Sequence, residues 1–351
     1  MNKKYSLDFD VIDWSKPNPQ EVKALVNINS DEVLDSLCYM ADYLDVPNGL
    51  LDFLVQDNVR ESISYCRPQL YSVHEKIKLD IEHLDKRKAE NILESFVIEV
   101  IEKSKSKNQC RINPYGSGYH KDIHDMMFSI REKDNFESYN GIYQGVKSKI
   151  FAPNVSDVMQ TFNCINKIFS IMEELNNAHK KEIDTLISDI ILIDSNGINA
   201  GTSFNLSGAM YLRVLASDTE HYSRMIEHIS HEAAHSLLYQ LWIQKKIISD
   251  DDGTYYTPFR LDHRPLSGVY HAMFVLARTI YTFNYFFDSD SLDFSINDIS
   301  SHYNEANNHL SFNDKFFKTV KVLNESQKLT DFGRKIMDDC INLVFSCQHK
   351  I

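Results

Sequence analysis

The sequence predicts a mainly helical α+β fold with a small β-sheet, in which a helix carrying His231-Glu232-Ala233-Ala234-His235 packs against a second, buried helix. Three observations carry that expectation. Apolar residues recur every three or four positions over long tracts, the period of an amphipathic helix. Only two short apolar runs read as strands. One stretch, residues 265–287, is apolar nearly all round, which marks a helix enclosed by protein.

Residues 20–106 are helical in pattern, as in Asp31-Glu32-Val33-Leu34-Asp35-Ser36-Leu37-Cys38-Tyr39-Met40. Pro47-Asn48-Gly49 punctuates the tract as a turn. Residues 113–145, with their glycines and tyrosines, read as loops. A second helical pair is expected over residues 155–187. Strands follow over residues 189–194 and 208–214, with Gly- and Asn-containing turns between them. No internal repeat, low-complexity block or heptad run argues for another architecture.

The chain has 351 residues, 43% of them apolar, enough to bury a core as one large domain or two smaller ones. Fifty acidic residues against 37 basic ones leave a formal charge of -13. Such a surface repels phosphate backbones and anionic lipid, so nucleic acid and membrane are not expected partners. Six cysteines stand without a Cys-x-x-Cys pair, which argues against a thiolate zinc site and for buried free thiols. The start has no apolar run like that of a signal peptide, and no stretch reaches about 18 uninterrupted apolar residues. A cytoplasmic setting is expected.

A helix is expected between Ser217-Asp218-Thr219-Glu220, which has the form of a capping box, and Lys245-Lys246, which suit the negative end of a helix dipole. Positions i and i+4 project from one face, so His231 and His235 can offer ring nitrogens to a single ion. Glu232 lies about 100° further round and can reach a bound water. Ile226, Ile229, Ala233, Ala234, Leu237, Leu238 and Leu241 make the helix apolar, a setting in which unpartnered imidazoles are costly. His228, three residues before His231, reads as structural or as support for a ligand.

For the third ligand the usual peptidase patterns fail. No Glu occurs between Ser236 and Asn304, and the extended HExxHxxGxxH pattern has Leu238 in place of Gly and Leu241 in place of His. His271 is the best candidate, with Asp262 and His263 as rivals. In the apolar stretch 265–287, which Pro265 can open, His271 and Arg278 are the lone imidazole and the lone formal charge. Both need partners inside the protein, and they lie two turns apart, about 10 Å of rise. Arg278 reads as the holder of a small dicarboxylate or as half of a buried ion pair. Arg260 and Arg264 flank the expected entrance and could meet an acidic substrate group, or pair with Asp262. Tyr255, Tyr256 and Tyr270 could line a peptide groove or serve as aromatic core.

Gly201-Thr202-Ser203, the HEAAH segment and Pro258-x-Arg260-x-Asp262-x-Arg264-Pro265-Leu266-Ser267-Gly268-Val269-x-His271-x-x-Phe274-Val275-x-x-Arg278 together resemble the HExxH-type 2-oxoglutarate- and Fe(II)-dependent peptide β-hydroxylases. Those proteins serve pathways for ribosomally made, post-translationally modified peptides. The likeness covers residues 201–278, with a fainter echo in Leu329-Thr330-Asp331-Phe332-Gly333-Arg334. It implies that His231, His235 and His271 ligate Fe(II), that Arg278 holds the distal carboxylate of 2-oxoglutarate, and that Glu232 supports the site or accepts a proton. It further implies oxygen as co-substrate and a precursor peptide as partner; on the residues themselves, Arg260 or Arg264 is expected to meet an acidic group of that substrate and Ser203, beside Thr202, to orient it. Fe(II) oxygenases commonly use two His and one carboxylate, so Glu232 or Asp262 is the alternative source of a third ligand. On this reading residues 1–110 form a helical region for leader or partner recognition, or a plain scaffold, and residues 111–351 the catalytic domain. A zinc metallopeptidase with Glu232 as general base, and a metal-stabilised peptide escort, are the competing expectations.

Overall fold

The computed structural model describes residues 7–81, 86–104, 110–119, 121–139, 142–143, 146–214, 222–258, 262–287, 310–349 and 351. Over them the chain is mainly helical with a small sheet, as the sequence predicts. It falls into two compact units, one made of residues 23–159 and 184–215, the other of residues 1–22, 160–183 and 216–351. Each unit is made of separated stretches of chain; in the first, residues 189–192 pair with residues 111–114 in one sheet.

The first unit holds most of α1 (Pro19–Tyr43), then α2 (Asn48–Leu54), α3 (Asp57–Ile63), α4 (Arg67–Asp80), α5 (Lys86–Ser104), β1 (Arg111–Pro114), α6 (Lys121–Tyr139) and the short strands β2 (Ile142–Tyr143), β3 (Val146–Lys147) and β4 (Ile150–Phe151). After the long helix α7 (Val155–Leu186) it resumes with β5 (Asp189–Ser195), β6 (Ala200–Thr202) and β7 (Ala209–Arg213). The sheet runs β1-β5-β7-β6, and β4 joins the far end of β5. β1, β5 and β7 are parallel, whereas β6 and β4 run antiparallel to their neighbours. A parallel strand between two others is covered on both faces, so Ile190–Ile193 is a continuous apolar run with no polar alternation.

Residues 113–145 are not mainly loop. α6 occupies 19 of them, and Ile123, Met126, Met127 and Ile130 bury its apolar stripe in the helical core with Leu37, Leu70, Leu93 and Phe96. The 3-4 spacing was present in the sequence, but Gly116 and Gly118, both at positive φ, dominate the stretch just before it. α7 realises the expected helical pair as two helices joined at Asn176, whose backbone leaves the helical region. The Asn176 Oδ1 accepts from the His179 N–H at 3.1 Å and so caps the second half.

The second unit contains α8 (Tyr222–Gln244), the hairpin β8 (Tyr255–Thr257) and β9 (Asp262–Arg264), α9 (Leu266–Phe287), α10 (Phe312–Ser326) and α11 (Asp331–Ser346). The capping box expected at residues 217–220 lies outside the described residues. α9 packs on α8, α10 and α11 at once, which explains why its sequence is apolar on every side. Pro265 stands just before it, its carbonyl accepting from Gly268 N at 2.9 Å. Asp251 caps the same end, with Oδ1 accepting from Ser267 N at 2.8 Å. No described helix is long and apolar enough to cross a membrane.

The echo at residues 329–334 is a structural joint. Thr330 N donates to the Ile247 carbonyl at 3.0 Å, and its hydroxyl caps α11 by accepting from Gly333 N at 3.1 Å. A side chain at Gly333 would run into the Ile247 carbonyl, so only glycine fits. The Gly333 carbonyl in turn accepts from the Tyr270 hydroxyl at 2.8 Å, which ties α11 to α9 one residue before His271. Tyr270 is therefore core, not groove wall.

Candidate metal centre

α8 and α9 bring three imidazoles together. His231 and His235, one turn apart on α8, stand with their Nε2 atoms 3.2 Å apart and ring centroids at 4.8 Å. His271 on α9 meets the other edge of His235, Nδ1 to Nδ1 at 2.8 Å. The indole of Trp242 stacks on His271 at 5.6 Å, and Tyr239 lies 5.1 Å from its ring centroid. Burial between these rings, with the His231 charge adding, pushes the His271 pKa down to about 4, Asp251 offsetting part of the shift. His271 is thus neutral near pH 7, the form in which an imidazole has a lone pair to give.

The spacing suits ligand atoms. Two nitrogens each about 2.1 Å from one ion stand roughly 3.0 to 3.4 Å apart for octahedral to tetrahedral angles, and the His231–His235 pair falls in that range. Among the described residues, however, no three His, Cys, Asp or Glu side chains already converge as finished ligands. The ring of His235 turns one nitrogen to His231 and the other to His271. The three imidazoles are residue types that a metal uses, but as placed they do not converge on one point.

The rivals for the third ligand are engaged elsewhere. Both carboxylate oxygens of Asp262 accept from Arg264 Nε, at 3.0 and 2.9 Å. This is the loop ion pair weighed against a substrate role for Arg264. His263 packs edge-on against Tyr256 at 5.7 Å on the hairpin. Arg260 lies outside the described residues. Glu232 is buried on α8 beside His231. Ser203, in the sheet unit, uses its hydroxyl to accept from Asn205 N at 3.1 Å, capping a 3-10 turn. The preceding glycine of that motif, Gly201, lets the Arg131 guanidinium lie flat where a Cβ would collide, over the ring of Tyr211 at 5.5 Å.

Arg278 does not meet the expectation for a dicarboxylate clamp. Its Nη2 is paired with Glu182 Oε1, and its Nη1 donates to the carbonyls of Ser15 at 3.1 Å and Trp14 at 3.4 Å. The pair is sealed, with side chains 3% and 0% exposed. Asn18 N adds a 2.8 Å bond to the other Glu182 oxygen. The buried ion pair, the alternative given for Arg278 in the sequence, is the arrangement found, and as placed the residue has no free fork for a 2-oxoglutarate carboxylate.

Two residues of the neighbourhood escaped the sequence reading. Glu227, one turn before His231, places Oε1 3.2 Å from His231 Nδ1 and Oε2 3.5 Å from His228 Nε2. Its i-4 spacing from His231 was the available signal. Glu182, 96 positions from Arg278 in sequence, left none. Compared with known proteins, the chain matches no family model and no curated sequence.

Proposed function

We propose that this chain is a metal-dependent, cytoplasmic peptide-modifying enzyme whose ion is held by His231, His235 and His271, and that its reaction is hydroxylation at a β-carbon of a ribosomally made precursor peptide. One observation supports the metal reading: three imidazoles from two packed, largely apolar helices in nitrogen-to-nitrogen contact. The choice of hydroxylation rests on the resemblance of the segment around His271 to the Fe(II)-dependent peptide hydroxylases. A bound Fe(II) would supply oxygen activation. The chain's own part is to hold the ion with neutral imidazoles, wall it with Trp242 and Tyr239, and keep the buried Glu232 carboxylate beside His231 as a proton acceptor.

The 2-oxoglutarate of that reaction has no cation waiting for it at Arg278, so no step is assigned through it. That same observation favours a second reading, a zinc hydrolase in which Glu232 is the general base, because hydrolysis needs no dicarboxylate clamp. One experiment separates them. Purified protein is incubated with Fe(II), 2-oxoglutarate, oxygen and a precursor peptide encoded beside the gene. Hydroxylation predicts succinate and a peptide heavier by about 16 Da, one oxygen atom. Shorter peptide fragments that vanish in Glu232→Gln would establish the hydrolase and end the oxygenase reading.

A further inference from the structure

We infer that Arg131 anchors a binding site for a small monocarboxylate in the sheet unit. The inference stands apart from the metal reading, since every group it uses belongs to α6, β6 or β7 of the first unit. Arg131 lies on α6 with 3% of its surface exposed. Its Nη1 donates one long bond, 3.3 Å, to the Thr202 carbonyl on β6. Its Nε and Nη2 are buried and, among the described residues, meet no acceptor. Two other arginines of the unit are treated differently. Arg67, equally buried, gives Nη1 to the Ser64 carbonyl at 2.7 Å and Nη2 to the carbonyls of Thr185 and Leu186 at 2.6 and 2.8 Å. Arg111 directs Nε to the Asp189 carboxylate at 2.7 Å. The fold thus supplies acceptors to these two and leaves one whole edge of Arg131 unspent.

A guanidinium keeps its charge at any physiological pH, and an enclosed charge without acceptors is costly. Nε and Nη2 make up one edge of the fork, the edge that takes both oxygens of a carboxylate in two parallel bonds. One carboxylate cancels the single positive charge, whereas a dianion such as phosphate would leave a net charge enclosed. The sheet fixes how that edge is presented. Gly201 and Tyr211 are partners in the β6–β7 ladder and so share a face of the sheet. A Cβ at Gly201 would collide with Nη2, and the Arg131 Cζ lies 5.5 Å from the centre of the Tyr211 ring. The ring holds the plane of the guanidinium by cation–π attraction but offers its N–H edge no acceptor.

The test uses the full-length chain and sodium acetate as the probe, with sodium chloride at equal ionic strength and sodium phosphate as controls. In 15N-edited spectra the Arg131 Nε–H signal, assigned by its loss in Arg131→Met and in Arg131→Lys, should be replaced during the acetate titration by a second signal further downfield. Enclosure makes entry depend on local opening, so two signals in slow exchange are expected, not one that drifts. Chloride and phosphate should not produce the second signal. Acetate at about ten times its Kd should also lower the wild-type unfolding constant about tenfold and leave Arg131→Met unmoved. Arg131→Lys keeps the charge without the fork, so the same acetate concentration should stabilise it less than wild type. An Nε–H signal unchanged by acetate, or an equal response to chloride, would overturn the proposal. So would acetate stabilising Arg131→Met as much as wild type, because the anion would then bind elsewhere.

Discussion

At one end of α9, His271 lies edge to edge with His235 between Trp242 and Tyr239. Two turns further along the same helix, Arg278 is closed off by Glu182 and two backbone carbonyls. In sequence the two residues look alike, each an isolated polar group on an apolar helix. What separates them is whether the chain itself completes them. Arg278 spends its donors on fixed acceptors, so its charge is neutralised within the fold. The imidazoles of His235 and His271 contact one another at 2.8 Å, and the proposed function would complete that cluster with a cation.

The largest expected effect lies at the closed end. Arg278→Met alone, or Glu182→Met alone, strands a buried charge and should cost about 3–5 kcal/mol in urea denaturation. The double variant should recover much of that loss, since replacing a buried pair with apolar side chains is often near neutral. If Arg278→Met leaves stability untouched yet abolishes 2-oxoglutarate binding, the contrast drawn here is wrong and Arg278 is a clamp that Glu182 merely occupies.

A smaller effect should follow pH at the open end. Burial depresses the pKa of His271 to about 4, and at the closed end burial and the Arg278 charge hold that of His179, which meets the Tyr285 hydroxyl at 3.0 Å, well below the ordinary value. The unfolded chain, with His pKa near 6.5, therefore binds more protons than the folded one between about pH 6.5 and 4. Stability from these rings is complete above about pH 6.5 and is lost as pH falls toward 4. Metal-free His271→Gln should show a shallower decline than wild type across that window. Parallel curves would mean that the ring is not desolvated in the folded protein.

The smallest effect is expected on the hairpin. Arg264 pairs with Asp262 on a partly exposed surface, so Arg264→Ala should cost no more than about 1 kcal/mol. A large loss of peptide modification with stability unchanged would return Arg264 to the substrate role that the sequence allowed.

Much of this was legible before any coordinates. Helix α9 announced itself by being apolar on all sides, and β5 by an unbroken Ile-Ile-Leu-Ile run. His231, His235 and His271 were named from one-turn spacing and from a lone imidazole in an apolar tract. α6 was lost because turn-forming glycines precede it, and β1 and β6 because three or four residues carry no period. The site's outer partners divide the same way. Glu227 sits at a local spacing that could have been read, whereas the union of Arg278 with Glu182 and the Trp14-Ser15 carbonyls depends on long-range packing.

The most direct test is metal stoichiometry. Anaerobic titration of the metal-free chain with Fe(II), followed by elemental analysis and X-ray absorption, should give one ion per chain with three imidazole nitrogens, and two nitrogens with much weaker binding in His271→Ala. Full uptake in His271→Ala with an unchanged coordination shell, or no uptake in wild type, would contradict the account.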